Sequence, residues 1–157
     1  MFRIRQAEEG DEKIIYDLIV ELAEYEHMVQ AVVTSPEELK EQLFVKKNAK
    51  VALPELDGKV IGFALYFYNF STWLGKPGIY LEDLFIKPEY RKAGYGKALL
   101  KHLAQTALSE GCGRFEWACL NWNRPSIDFY LSVGARPMDE WTVYRLEGDT
   151  LKAAAEM

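Results

Sequence analysis

Helical periodicity marks four segments of the chain. Apolar side chains between Ile14 and Tyr25 recur at the three- and four-residue intervals of an amphipathic helix. The stretch SPEELKEQLF carries a helix-start signature, with Ser35 as the cap and Pro36 at the first helical position. GYGKALLKHLAQTALSEG shows helical spacing and stops at a glycine, and RPSIDFYLSV predicts a short helix with a proline near its start.

Alternating, β-branched and aromatic runs predict the strands. FRIRQA alternates, and KVALPEL and KVIGFALYFYNF flank an Asp-Gly pair, which is a strong hairpin signal. GIYLEDLFI and RFEWACL predict two more strands, and ARPM followed by WTVYRLEG predicts two that end the sheet. The predicted order, β-α-α-β-β-β-α-β-α-β-β, indicates an α/β or α+β fold around one mixed sheet.

Composition and charge limit the class of protein. The 157 residues, 49% of them apolar, predict one domain over residues 1–157. No apolar run approaches the ~20 residues that cross a bilayer, and the start lacks a secretory signal, so we expect a cytoplasmic protein with no membrane partner. The net charge of −5 argues against nucleic-acid binding and fits a cationic substrate. Cys112 and Cys119 form no metal-binding pattern, and we expect small buried side chains in a reducing compartment.

Residues 86–103, IKPEYRKAGYGKALLKHL, place a basic glycine loop between a strand and a helix. A helix N-terminus offers unpaired N–H groups and partial positive charge, so glycines flanked by cations suit an anion. A nucleotide P-loop is excluded by Arg91 and Ala98, and a dinucleotide fingerprint by Leu99. The alternative is a tight turn on a basic surface.

Two motifs resemble those of the GNAT superfamily of N-acetyltransferases. RKAGYG matches its Arg/Gln-x-x-Gly-x-Gly/Ala loop, and NRPSIDFYLSVGA is similar to its second signature. ELAEYEHM, WLGK, YLEDLFI and NWNRPSIDFY further resemble the diamine acetyltransferases, which include the spermidine/spermine and thialysine enzymes. The resemblance implies a mixed, mostly antiparallel splayed sheet flanked by helices, acetyl-coenzyme A as co-substrate, no metal, and a homodimer.

The resemblance also implies a set of cofactor-binding residues. The loop would hold the pyrophosphate, the backbone of the YLEDLFI strand would hold the pantetheine arm and polarise the thioester, and the second signature would add further contacts. Asn123 could instead simply cap its helix. The implied residues are Leu84, Phe85, Ile86, Arg91, Lys92, Ala93, Gly94, Tyr95, Gly96, Lys97, Asn123, Ser126 and Tyr130.

Acetyl transfer to an amine needs a base for the ammonium and an acid for the departing thiolate. Tyr130 is the candidate acid, because a phenol's ordinary pKa of ~10 is close to that of an alkyl thiol; the alternative is a tyrosine packed in the core. By resemblance Glu82 deprotonates the amine, either directly or through water. Asp83 would attract a second cationic centre, although adjacent strand residues face opposite ways unless a bulge intervenes. Either carboxylate could instead pair with a lysine or arginine.

Aromatic faces and carboxylates suit an alkyl diammonium acceptor. Together with this fit, the resemblance to the diamine acetyltransferases implies acetyl transfer to a primary amine of a small diamine, polyamine or amino acid of the thialysine, lysine or ornithine type, by direct attack in a ternary complex. The alternatives are a protein, peptide or antibiotic amine as acceptor, or a regulatory module that binds acetyl-coenzyme A. The candidate acceptor residues are Tyr25, Glu26, Trp73, Glu82, Asp83, Glu116, Trp117, Asp139 and Trp141.

Overall fold

A six-stranded sheet organises the first of two units, Met1–Ala118 and Cys119–Met157, in the computed structural model, which describes residues 1–157. The strands are β1 (Phe2–Gln6), β2 (Lys50–Leu56), β3 (Lys59–Val60), β4 (Gly62–Ser71), β5 (Lys76–Ile86) and β6 (Arg114–Trp117). Their order in the sheet is β1-β2-β4-β5-β6, with β3 paired to β2. Only β5 and β6 pair in parallel. The predicted mixed, mostly antiparallel fold is thus confirmed.

The β4–β5 hairpin contains a β-bulge at Glu82. Leu65 lies opposite Asp83 and Tyr66 lies opposite Leu81, so Glu82 has no counterpart on β4. An extra residue of this kind bends the strand and changes the direction of neighbouring side chains. The strict alternation expected of Glu82 and Asp83 in a regular strand therefore does not hold here.

The sheet opens between β5 and β6 just beyond this bulge. Their ladder ends at Leu81 and Trp117, whereas the β4–β5 ladder continues to Gly62 and Ile86. Residues 82–86 therefore have no partner on β6, while residues 83–86 stay paired with β4. A Cβ atom on Gly62 would lie 2.2 Å from the Phe85 carbonyl oxygen, so glycine is required for this close approach.

Three helices complete the first unit, and their buried apolar side chains share its core with those of the strands. Ser35 caps the second helix as predicted, its Oγ accepting from the Glu38 N–H at 3.1 Å. No helix of the chain is long and apolar enough to cross a membrane. The core cluster contains Ile15, Leu18, Leu39, Leu43, Val51, Leu53, Phe63 and Phe85. The helices are α1 (Glu12–Tyr25), α2 (Pro36–Lys40), which continues as a π-helical turn (Glu41–Val45), and α3 (Tyr95–Ser109); 3₁₀ turns span Val29–Ala31 and Pro88–Tyr90.

The second unit contains two helices, α4 (Arg124–Ser132) and α5 (Gly148–Ala155). The prediction of two final strands is wrong, because residues 133–147 form no ladder. WTVYRLEG has strand composition, but its apolar side chains are largely exposed, with Tyr144 92% accessible. A strand needs a neighbour for its N–H and C=O groups, which composition cannot supply. The helix α5 was not predicted; Glu147 and Thr150 form its capping box.

Candidate active site

The glycine loop turns into α3 without a side-chain cap. Gly94 is the N-cap residue, with φ of 87° in the left-handed region, and no side chain bonds to the first turn. Lys92 is also left-handed, with φ of 67°. The first N–H groups of α3 therefore point out of the helix beside Lys92 and Lys97, and this arrangement attracts anions.

The space around Gly96 shows whether a phosphate could come close to this turn. A Cβ atom built there would lie 3.8 Å from the Ile86 side chain and 4.0 Å from the Leu84 side chain, which is ordinary contact. The packing of the protein therefore does not require glycine at this position, whereas close approach of a ligand to the backbone does. The same distances place the start of α3 beside the splayed end of β5. These residues fit the pyrophosphate and pantetheine of a coenzyme A thioester.

The Arg91 side chain turns away from the loop. Its Nε–H donates to the Ile86 carbonyl at 2.8 Å. Its guanidinium lies 4.8 Å from the centre of the Tyr25 ring and 5.3 Å from that of Phe85. The structure thus joins a predicted cofactor residue to a predicted acceptor residue, a connection that the sequence motif did not reveal.

Three carboxylates gather at the bulge. Burial raises the pKa of Asp83 to about 7, and the charges of Glu82 and Glu26 add to this effect. Burial also raises the pKa of Glu26. Glu82 itself is exposed. Since a buried carboxylate without a cation is costly, a bound cation would stabilise the ionised form of this cluster.

Glu116 and Trp117 lie on β6, where its ladder with β5 ends. In the parallel ladder they lie opposite Tyr80 and Leu81, next to the bulge. Glu116 also pairs with Arg114 at 3.1 Å. Burial raises the pKa of Tyr80, and the charges of Glu82 and Glu116 raise it further. Sequence reasoning did not single out Tyr80, because a tyrosine within a strand is an ordinary packing residue.

The structure does not bring Trp73 to these carboxylates. Trp73 lies in the turn between β4 and β5 and is 89% exposed. Glu82 is further along β5, so the two residues are separated by roughly 25 Å of strand. A role for Trp73 in acceptor binding stays a prediction.

The second unit carries the remaining predicted site residues. Asn123 is buried and caps α4, its Oδ1 accepting from the Ser126 N–H at 3.4 Å. Tyr130 lies half-buried on α4, and its ring is 5.6 Å from that of Phe129. Asp139 and Trp141 lie in the exposed segment before α5. Their functional roles stay predictions.

Comparison with known proteins assigns the family. The model of the acetyltransferase (GNAT) family matches residues 14–135, which contain both motifs identified in the sequence. The chain belongs to the GNAT acetyltransferase family. This GNAT chain is 40% identical to a thialysine N-epsilon-acetyltransferase of Sus scrofa over 164 residues, 97% of the chain and 96% of that relative. The resemblance to diamine acetyltransferases is thereby confirmed.

A further curated relative and a solved structure are also similar to this GNAT acetyltransferase. An L-ornithine N5-acetyltransferase of Arabidopsis thaliana is 44% identical over 97 residues, 62% of the chain and 42% of that protein. An integron cassette protein of V. cholerae has a solved structure with a TM-score of 0.84 and 28% identity, covering 99% of this chain and 98% of that one. The chain is therefore similar in fold to a solved structure along almost its full length.

Proposed function

We propose that this acetyltransferase moves the acetyl group of acetyl-coenzyme A to a primary amine of a small molecule that carries a second charge, such as thialysine, lysine, ornithine or a di- or polyamine. The observation that carries the proposal is the carboxylate cluster of Glu26, Glu82 and Asp83 at the bulge. An ammonium ion is the natural counterpart of such a cluster. The names of the thialysine and ornithine acetyltransferase relatives support the same acceptor class.

Glu82 and Asp83 would have different roles toward the acceptor. The ammonium, with an ordinary pKa near ~10, must lose a proton before its nitrogen can attack. Exposed Glu82 would take that proton through a water molecule, while the more buried Asp83 holds the second cationic centre. A cation beside Asp83 stabilises its ionised form, so acceptor binding offsets part of the cost of burying that charge.

The other residues would act on the thioester side. When bound, acetyl-coenzyme A supplies an acetyl carbon joined to sulfur. The amides of the glycine loop and the start of α3 would hold the pyrophosphate. The β5 backbone from Leu84 to Ile86 would offer N–H groups to the pantetheine and the thioester oxygen. As the C–N bond forms and the C–S bond breaks, Tyr130 would donate its phenolic proton to the thiolate, and the second proton that the nitrogen loses on becoming an amide would restore the phenol.

We also propose a homodimer. The support is the segment from Trp141 to Leu146, whose apolar side chains include Trp141, 66% exposed, and Val143, 85% exposed. A surface this apolar is typical of a face covered by another protein. A second copy of the chain is the partner that the resemblance implies.

The alternative acceptors are a peptide or antibiotic amine, and the alternative without catalysis is an acetyl-coenzyme A sensor. A peptide that is acetylated where diamines and amino acids are not would favour the first alternative. Binding of acetyl-coenzyme A without amine-dependent thiol release would favour the second.

The test is a comparison of Glu82→Gln and Asp83→Asn, with Glu24→Gln as an exposed carboxylate control. Glu82→Gln should lower kcat by 10²-fold or more, because the base is lost. Asp83→Asn should raise the KM of the acceptor at least 10-fold and leave the KM of acetyl-coenzyme A unchanged. If both variants match Glu24→Gln, the carboxylate cluster does not bind or activate the acceptor.

A further inference from the structure

Arg91 lies where the two predicted substrate regions meet. It is the first residue of the glycine loop, and its guanidinium lies over the ring of Tyr25, the last residue of α1. Glu26, the next residue, belongs to the carboxylate cluster. One side chain therefore connects the end of the acceptor region to the start of the cofactor region.

The contacts of Arg91 fix it in three directions. Tyr25 and Phe85 provide ring faces at 4.8 Å and 5.3 Å, and the Ile86 carbonyl accepts from Nε at 2.8 Å. Only a planar guanidinium can stack on rings and donate in its plane at the same time, so lysine cannot replace it. By contrast, the following residues 92–94 are exposed, and Gly94 has no neighbour within 4 Å of an added Cβ. The Arg91 side chain therefore holds the start of the loop, while the Tyr95 ring, 4.8 Å from that of Phe2, holds its end.

We propose that Arg91 is a positioning residue that couples acceptor binding to coenzyme A binding. An acceptor held by the carboxylate cluster orders Tyr25 and Glu26 at the end of α1. An ordered Tyr25 ring holds the guanidinium, and the guanidinium holds the start of the loop in the conformation that receives the pyrophosphate. Because such a coupling is reciprocal, bound coenzyme A also strengthens acceptor binding. This inference rests on the proposed function.

The experiment is calorimetric titration of the full chain with coenzyme A, without and with saturating thialysine. Coenzyme A lacks the acetyl group, so no turnover disturbs the equilibrium. In the unmodified protein thialysine should lower the Kd of coenzyme A about 5-fold or more, which is the ordinary range of allosteric coupling. In Arg91→Lys the ratio of the two Kd values should fall below about 2, although the positive charge is retained.

Lys87→Gln is the matched control. The Lys87 ammonium lies 3.5 Å from the Glu21 carboxylate, so it joins the same two regions, α1 and the end of β5, without Arg91. Loss of the Lys87 charge should leave the ratio of the two Kd values as it is in the unmodified protein. A purely structural role for Arg91 would weaken both Kd values and preserve the ratio, and a direct phosphate contact would also preserve it in Arg91→Lys. Either result overturns the coupling.

Two further outcomes separate this inference from the proposed function. If the unmodified protein acetylates thialysine but shows a ratio near 1, the coupling is wrong and the proposed function stands. If it acetylates no amine, both are wrong. Should Arg91→Lys fail to fold, Tyr25→Leu removes the ring on the acceptor side. It should likewise lower the ratio of the two Kd values below about 2.

Discussion

Asp83 shows how far single residues can be understood from sequence. Two adjacent carboxylates in an apolar strand predict a polar site, because burying a charge without a partner is costly. The bulge that leaves Glu82 unpaired follows from the register with β4, which no local pattern contains. The raised pKa of Asp83, and its proximity to Glu26 on another element, could therefore not be predicted.

Asp83→Asn should stabilise the protein at pH 8. Because burial raises the pKa of Asp83 to about 7, the folded state holds the proton more tightly than the unfolded chain does. Stability is therefore highest at low pH and falls as the pH rises through 7. The neutral variant should gain roughly 2 to 4 kcal/mol at pH 8 and less than half of that at pH 5, as measured by urea denaturation. Equal effects at the two pH values would contradict the raised pKa.

The KM of the acceptor should depend on the same group. Between pH 6 and pH 8 the acceptor amine remains an ammonium, while Asp83 loses its proton at about 7. The KM should therefore decrease as the pH rises through this value. In Asp83→Asn the KM should stay constant over the range, and a parallel decrease would assign the titration to another group.

Tyr130→Phe should separate catalysis from binding. Loss of the phenolic proton donor should lower kcat by 10²- to 10³-fold, because general acid catalysis contributes an effect of this size. The Kd of acetyl-coenzyme A should change less than about 3-fold. Stopped assays of thiol release and direct titration measure the two quantities, and an unchanged kcat would remove Tyr130 from the mechanism.

The helices and strands that were predicted from local sequence signals agree best with the structure. The hairpin at Asp57 and Gly58, the capped α2 and the helix after the glycine loop all have short-range signatures that the structure confirms. The last two predicted strands failed because pairing, unlike periodicity, depends on a distant partner. Arg91 was likewise predicted as a loop cation, and only the structure reveals its position between the ring of Tyr25 on α1 and that of Phe85 on β5.

The glycine loop predicts a specific difference between two glycines. Gly94 and Gly58 both have left-handed backbones, with φ of 87° and 81°, and neither has an atom within 4 Å of an added Cβ. Alanine should therefore cost each position about 1 to 2 kcal/mol of stability. Only Gly94→Ala should raise the KM of acetyl-coenzyme A, by 10-fold or more. Equal KM values would place the pyrophosphate elsewhere.

The assembly of the protein gives the last structural prediction. If a second copy covers the segment before α5, sedimentation velocity should report twice the 18.1 kDa chain mass. Val143→Asp combined with Leu146→Asp should reduce it to one chain, because charge in an apolar interface is costly. Val33→Asp, at a valine 91% exposed in the first unit, should remain dimeric. A single-chain mass for the unmodified protein would contradict the homodimer.

Acceptor identity is the central question, because the family settles acetyl transfer and leaves the amine open. The most direct measurement is thiol release from acetyl-coenzyme A with putrescine, spermidine, spermine, lysine, thialysine, ornithine and a short peptide. The carboxylate cluster predicts saturable release with at least one of the small amines that carry a second charge, and none with the peptide. Release with the peptide alone, or with no amine, would contradict the proposed function.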